Sequence, residues 1–101
     1  GLWAQLRLVE SGGGLRAPGQ AITLSCHGSG FTFKNYYVLW YRQALSSPLE
    51  WVSSISTLGS GYYGLSVEGR ATVSRENSQS KSFLELRDLR PQDSARYFCA
   101  V

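Results

Sequence analysis

The sequence predicts an all-β fold, a two-sheet sandwich or a barrel, and three observations carry that expectation. Short stretches of alternating apolar and polar residues recur at roughly even spacing, with turn residues between them. Serine, glycine and aromatic residues, with 15 Ser and 11 Gly, stand where a helical bundle would carry Ala, Glu and Lys. Two cysteines, Cys26 and Cys99, lie 73 positions apart. The 101 residues suffice for one domain with one core, and 43% hydrophobic residues are too many for a disordered segment.

The elements follow in order. Gly1–Ala4 precede the first alternating stretch and read as the remnant of a removed secretory signal or as a plain N-terminal extension, with the domain spanning residues 5–101. Leu6–Glu10 is a strand running into Ser11-Gly12-Gly13-Gly14, where it can bend or change partner sheets. Ala21–Cys26 alternates strictly, with Ile22, Leu24 and Cys26 on one face, and Gly28–Gly30 closes it. Val38–Gln43 is rich in β-formers. Ser46-Ser47-Pro48 makes a turn before the strand Leu49–Val52. Ala71–Ser74 and Ser82–Leu86 alternate around the polar turn Glu76–Ser80, and Ala95–Val101 is the last strand. Only Arg87–Ser94 invites a helical turn, with Pro91 near its start.

Composition and motif spacing exclude several classes of function. The net charge of +3 comes from singly scattered residues, with no basic run to track a phosphate backbone. No apolar run approaches the length of a membrane span, so neither nucleic acid nor direct membrane insertion is expected. Cys26 and Cys99 are too far apart for a C-x-x-C motif, and His27 is the only histidine, too few for a Cys/His metal site. His27 also neighbours Cys26, and adjacent strand residues point to opposite faces, so a Cys–His nucleophile pair is not built. What remains is a long-range disulfide or two buried thiols. Closing so long a loop would contribute roughly 4 kcal/mol, which favours the disulfide and an oxidising, extracellular compartment. Gly59–Gly64 spells G-x-G-x-x-G, but Leu65–Gly69 after it is too short for the helix that would aim its dipole at a pyrophosphate. No base–nucleophile pair, cofactor or metal site is expected, and the chain reads as a non-enzyme.

The spacing then becomes specific. Cys26, Trp40, and Tyr97 two positions before Cys99 form the Cys…Trp…Cys pattern of an immunoglobulin domain. Asp93-Ser94-Ala95-Arg96-Tyr97-Phe98-Cys99 matches the family's D-x-A-x-Y-x-C signature. Leu8–Leu15, Gly30-Phe31-Thr32-Phe33, Leu49-Glu50-Trp51-Val52 and Asn77-Ser78 resemble an antibody heavy-chain variable region, and the resemblance covers roughly Gln5 to Val101. It implies an immunoglobulin V-type β-sandwich with Greek-key connections. Within it Cys26 and Cys99 bridge two sheets, Trp40 packs on the sulfurs, Tyr97 returns its hydroxyl to the backbone, and Asp93 pairs with Arg70.

The same resemblance implies a function. Antigen would be met by two loops, one offering Lys34, Asn35, Tyr36 and Tyr37, the other Ser54, Ser56, Thr57, Leu58, Ser60 and Tyr62. Phe31 and Phe33 would anchor the first loop inward. A light-chain variable domain would meet Gln43, Leu49, Trp51 and Phe98, flanked by Tyr41 and Pro48. The implied setting is a secreted antibody or the extracellular face of the plasma membrane in adaptive immunity. The family pattern is not kept throughout. Ala71 and Ser82 are small at core positions, Ala44–Pro48 replaces the usual A-P-G-K-G turn, and Tyr41 replaces the usual Val. The sequence stops two residues after Cys99, so the third hypervariable loop and the last strand with its W-G-x-G motif are expected to be missing, as in an unrearranged variable gene segment. Two other readings stand beside this one: a fixed, non-rearranging V-type cell-surface receptor domain, and an assembly partner that accepts its last strand from another chain.

Overall fold

Two antiparallel four-stranded sheets face each other in a computed structural model that describes residues 5–101. The first has the order β1-β2-β7-β6, with β1 Arg7–Ser11, β2 Ile22–Ser29, β6 Ala71–Glu76 and β7 Lys81–Leu86. The second has the order β5-β4-β3-β8, with β3 Val38–Gln43, β4 Glu50–Ile55, β5 Gly61–Tyr63 and β8 Arg96–Ala100. This is the all-β sandwich of the sequence reading. The suggested processing remnant falls on residues 1–4, outside the described residues.

Each sheet follows from period-2 patterning. In β7 the inward Ser82, Leu84 and Leu86 are buried and alternate with half-buried Lys81, Phe83 and Glu85. In β3 Val38, Trp40 and Arg42 point in, while Leu39, Tyr41 and Gln43 point out. The facing inward sets form one core around Leu24, Trp40, Val52, Ile55, Leu84 and Leu86. A disulfide joins Cys26 of β2 to Cys99 of β8 across a sequence separation of 73, so it ties one sheet to the other. Trp40 lies opposite Cys99 in the β3–β8 register and is fully buried.

Several boundaries differ from the sequence reading. β2 continues through Gly28 to Ser29 because β1 supplies partners that far, Arg7 opposite Ser29 and Leu8 opposite Gly28. Gly28–Gly30 therefore does not close the strand. The chain turns at Gly30, whose φ of +83° suits glycine and where a Cβ would fall on the Gln5 carbonyl. β4 runs three residues past Val52, to Ile55. β5 is a strand that the sequence reading assigned to a loop, since three residues including a glycine show no alternation of their own. It exists through pairing with β4, Ser53 opposite Tyr63 and Ile55 opposite Gly61. The expected helical turn over Arg87–Ser94 shrinks to the single 3-10 turn Pro91–Asp93. At Gly12, Gly13 and Gly14, with φ between +90° and +109°, the chain leaves the first sheet and forms no strand before Ile22.

The two small core residues, Ala71 and Ser82, are both buried. Ser82 is fully buried and its hydroxyl donates to the Ser74 carbonyl at 2.9 Å, so the polar group is satisfied where it stands.

Candidate functional site

The starts and ends of antiparallel strands bring three chain segments to one end of the second sheet: the entry to β3, the exit of β4 and the exit of β8. The first loop, between β2 and β3, is anchored by its aromatic residues. Phe33 is buried, Phe31 packs against it with ring centroids 6.1 Å apart, and Tyr36 stands edge-on to Phe31 at 5.6 Å. Lys34, Asn35, Tyr36 and Tyr37 are exposed around that anchor.

The second loop, between β4 and β5, closes on Ser56. Its N–H donates to the Ser60 carbonyl at 2.8 Å and its hydroxyl accepts the Ser60 N–H at 2.9 Å. Ser54 and Ser56 are buried, so their hydroxyls shape the surface from beneath; Ser54 accepts the Trp51 indole N–H at 2.8 Å. Leu58, Ser60 and Tyr62 are exposed, and Thr57 is half-buried. The exposed face of the two loops is therefore mainly Lys34, Asn35, Tyr36, Tyr37, Leu58, Ser60 and Tyr62.

Arg75, absent from the sequence-based set, holds the loops together. From β6 it donates to the Ser56 carbonyl at 2.8 Å and to the Phe33 carbonyl at 3.0 Å, with its guanidinium 5.0 Å from the Phe33 ring centroid. Its Nε is fixed by the Asn77 side chain at 2.7 Å. The sequence signal was slight, an arginine one residue before the polar turn. Arg75→Ala should leave two loop carbonyls without their donor and raise amide hydrogen exchange in residues 33–36 and 56–60 by about tenfold, with the β7 amides unchanged. Unchanged loop exchange would show that the loops hold themselves.

The outer face of the second sheet carries a row of three aromatic residues. Tyr41 lies opposite Phe98 on one side and Trp51 on the other. A β-bulge between Trp40 and Tyr41 sets this register: Trp40 faces Ser53 whereas Tyr41 faces Trp51, leaving Val52 as the extra residue. Trp51 is 37% exposed and Leu49 56%, and Pro48 and Gln43 border them. Gln43 donates to the Ser47 carbonyl at 3.2 Å within its own turn.

Beneath this face, at the opposite end of the domain from the loops, lies a buried ion network. Arg70 makes a forked contact to Asp93, at 2.8 and 2.9 Å. Arg42 donates to the same carboxylate at 2.9 Å, to the Tyr97 hydroxyl at 3.0 Å and to Glu50 at 2.7 Å. Tyr97 donates to the Asp93 carbonyl at 2.8 Å. Sequence reasoning named Asp93, Arg70 and Tyr97 but missed Arg42 and Glu50. The signal for Arg42 was available, a charge at the third inward position of a strand that begins Val38, Trp40. Burial alone would raise the Asp93 carboxyl, but the Arg70 hydrogen bonds, the Arg90 N–H and Arg42 outweigh it and hold the group at about 2. Glu50 is lowered chiefly by its hydrogen bond from Arg42. Burial raises the Tyr97 phenol. The network carries structure: Arg70 precedes β6 of the first sheet and Arg42 lies in β3 of the second, so Asp93 links the two.

The G-x-G-x-x-G stretch has neither context that nucleotide binding requires. Gly61–Tyr63 is β5 itself, and Gly64–Arg70 after it is a turn region without a helix.

A family model described as the immunoglobulin V-set domain matches residues 15–101.

Proposed function

The chain belongs to the immunoglobulin V-set family, and from that premise we propose that it is the variable domain of an antibody heavy chain, pairing side by side with a light-chain variable domain and presenting its loops to antigen. The reading rests above all on the outward aromatic row Trp51–Tyr41–Phe98 with exposed Leu49 beside it. Aromatic residues on an open sheet face have the composition of an interface core, and an unpartnered patch of this kind favours association. The tyrosines of the two loops give large contact area at low entropic cost, and the small polar residues around them adapt their hydrogen bonds. The disulfide is in keeping with an extracellular setting, secreted or at the outer face of the plasma membrane. No helix among the described residues is long and apolar enough to cross a membrane.

Mixing the domain with recombinant light-chain variable domains should produce a one-to-one complex by sedimentation velocity. Trp51→Ser should weaken that complex by about 30-fold, the loss of a central aromatic anchor. Leu49→Glu, at an exposed position, should weaken it while leaving the fold intact. Absence of any complex, or affinities insensitive to both changes, would remove the pairing reading. Transcripts read beyond the codon for Val101 separate the two remaining alternatives from it. Diverse junctions support an antibody chain, and one invariant continuation supports a fixed V-type receptor or a strand-accepting assembly partner.

A further inference from the structure

A single cation stands on the outward aromatic face. Arg96 opens β8 and lies opposite Gln43, one outward position below the row Trp51–Tyr41–Phe98. Strand alternation puts it on the same face as Phe98. Its guanidinium is 5.0 Å from the Phe98 ring centroid, so the side chain folds along its own strand onto the aromatic row. Arg96 is exposed and makes no ion pair among the described residues. Every other outward residue of β3, β4 and β8 is uncharged. The acid at the start of β4, Glu50, is engaged, one carboxylate oxygen by Arg42 and the other by Ser66.

The inference rests on the side-by-side pairing proposed above, and it concerns which domain can cover this face. The aromatic row is centred on Tyr41, so the two-fold axis of a pair of like domains runs through β3. Such an axis lays β8 of each domain over the strand equivalent to β4 in the other. Arg96 begins β8 level with the end of β3, and it therefore meets the turn that leads into that strand.

The chemistry of that turn decides the fit. A stacked guanidinium has one face on the ring and its N–H groups around the rim, where a coplanar carboxylate accepts two of them. Under an apolar or basic surface the same group loses its water without compensation. In a second copy of this chain the turn is Ala44–Pro48, followed by Leu49, and holds no acid. A homodimer on this face would cover two unpaired guanidiniums. We propose that Arg96 selects the pairing partner: the face accepts a light-chain variable domain that carries a carboxylate in the turn before its β4-equivalent strand, and it disfavours a second copy of itself.

The probe is one recombinant light-chain variable domain made in three forms, with Glu, Gln or Lys at the middle of that turn. By sedimentation velocity at low salt, the Glu form should bind the protein about tenfold tighter than the Lys form, with the Gln form between them. The difference should shrink to about twofold in about 0.5 M salt. Arg96→Gln, at an exposed position, should abolish the preference, and Arg96→Glu should invert it toward the Lys form. Without any light chain, Arg96→Leu should strengthen self-association about tenfold. Equal affinity of the unaltered protein for the Glu and Lys forms would overturn the proposal while leaving the pairing reading in place. So would a preference that survives Arg96→Gln, or self-association unchanged by Arg96→Leu. A complex with none of the three forms would remove the pairing reading and the selection with it.

Discussion

Replacing Cys26 and Cys99 together by Ala should lower the free energy of unfolding by about 4 kcal/mol, measured by urea denaturation of the folded protein. The disulfide closes a loop of 73 residues between the two sheets, and the chain-entropy cost of an unconstrained loop grows with the logarithm of its length. A domain of this size has roughly 5–15 kcal/mol in total, so the reduced protein should be largely unfolded at body temperature if it begins near the lower end. The loss has a second component. Trp40 stands opposite Cys99, and removal of the sulfurs takes packing from the largest buried side chain in the core. A loss below about 1 kcal/mol would mean that the unfolded chain keeps the two regions close without the bond.

Asp93→Ala should cost about 3–5 kcal/mol, because two buried guanidiniums, Arg42 and Arg70, lose the carboxylate they share. Glu50 remains beside Arg42, but Arg70 is left with carbonyls alone. Asp93→Asn keeps the shape and removes the charge, so it should fall between the two proteins. The acid dependence has the same origin. The Asp93 carboxyl stands near 2 in the folded chain against an ordinary 3.8, so its folded pKa is depressed. A depressed acid contributes stability above its unfolded pKa and loses it as the pH falls toward the folded value. The contribution, on the order of 2 kcal/mol, is thus complete above about pH 4.5 and fades between pH 4 and 2. Glu50 shifts in the same direction and adds to the slope, weakened by its exposure to solvent. Urea midpoints from pH 6 to pH 2 should show this fall, and the Asp93→Asn protein should show a shallower one. Parallel curves for the two proteins would assign the acid sensitivity elsewhere.

How much of this was legible in the sequence depends on the range of the interaction. Strands with their own alternation, such as Val38–Gln43, were readable to the residue, because side-chain period and burial coincide there. The separation of the two cysteines left a disulfide or two buried thiols, and the bridge between sheets with Trp40 packed on it came through the family resemblance. Asp93 and Arg70 were named through the family resemblance. Arg42 was not, although its inward position in β3 followed from the same alternation that placed Trp40.

The rest required tertiary structure. β5 has no periodicity and exists because β4 offers an edge to pair with. The bulge at Trp40/Tyr41, which brings Trp51 level with Tyr41 and Phe98, is a matter of register between strands. Arg75 ties two loops whose carbonyls lie 42 and 19 residues away along the chain, a meeting that no local pattern encodes. Ser54 and Ser56 look like loop surface in the sequence, yet the Trp51 indole engages one and the Ser60 amide the other. Alternation along one strand determines which side chains it buries, but which carbonyls, hydroxyls and charges they meet is decided only when distant segments pack together.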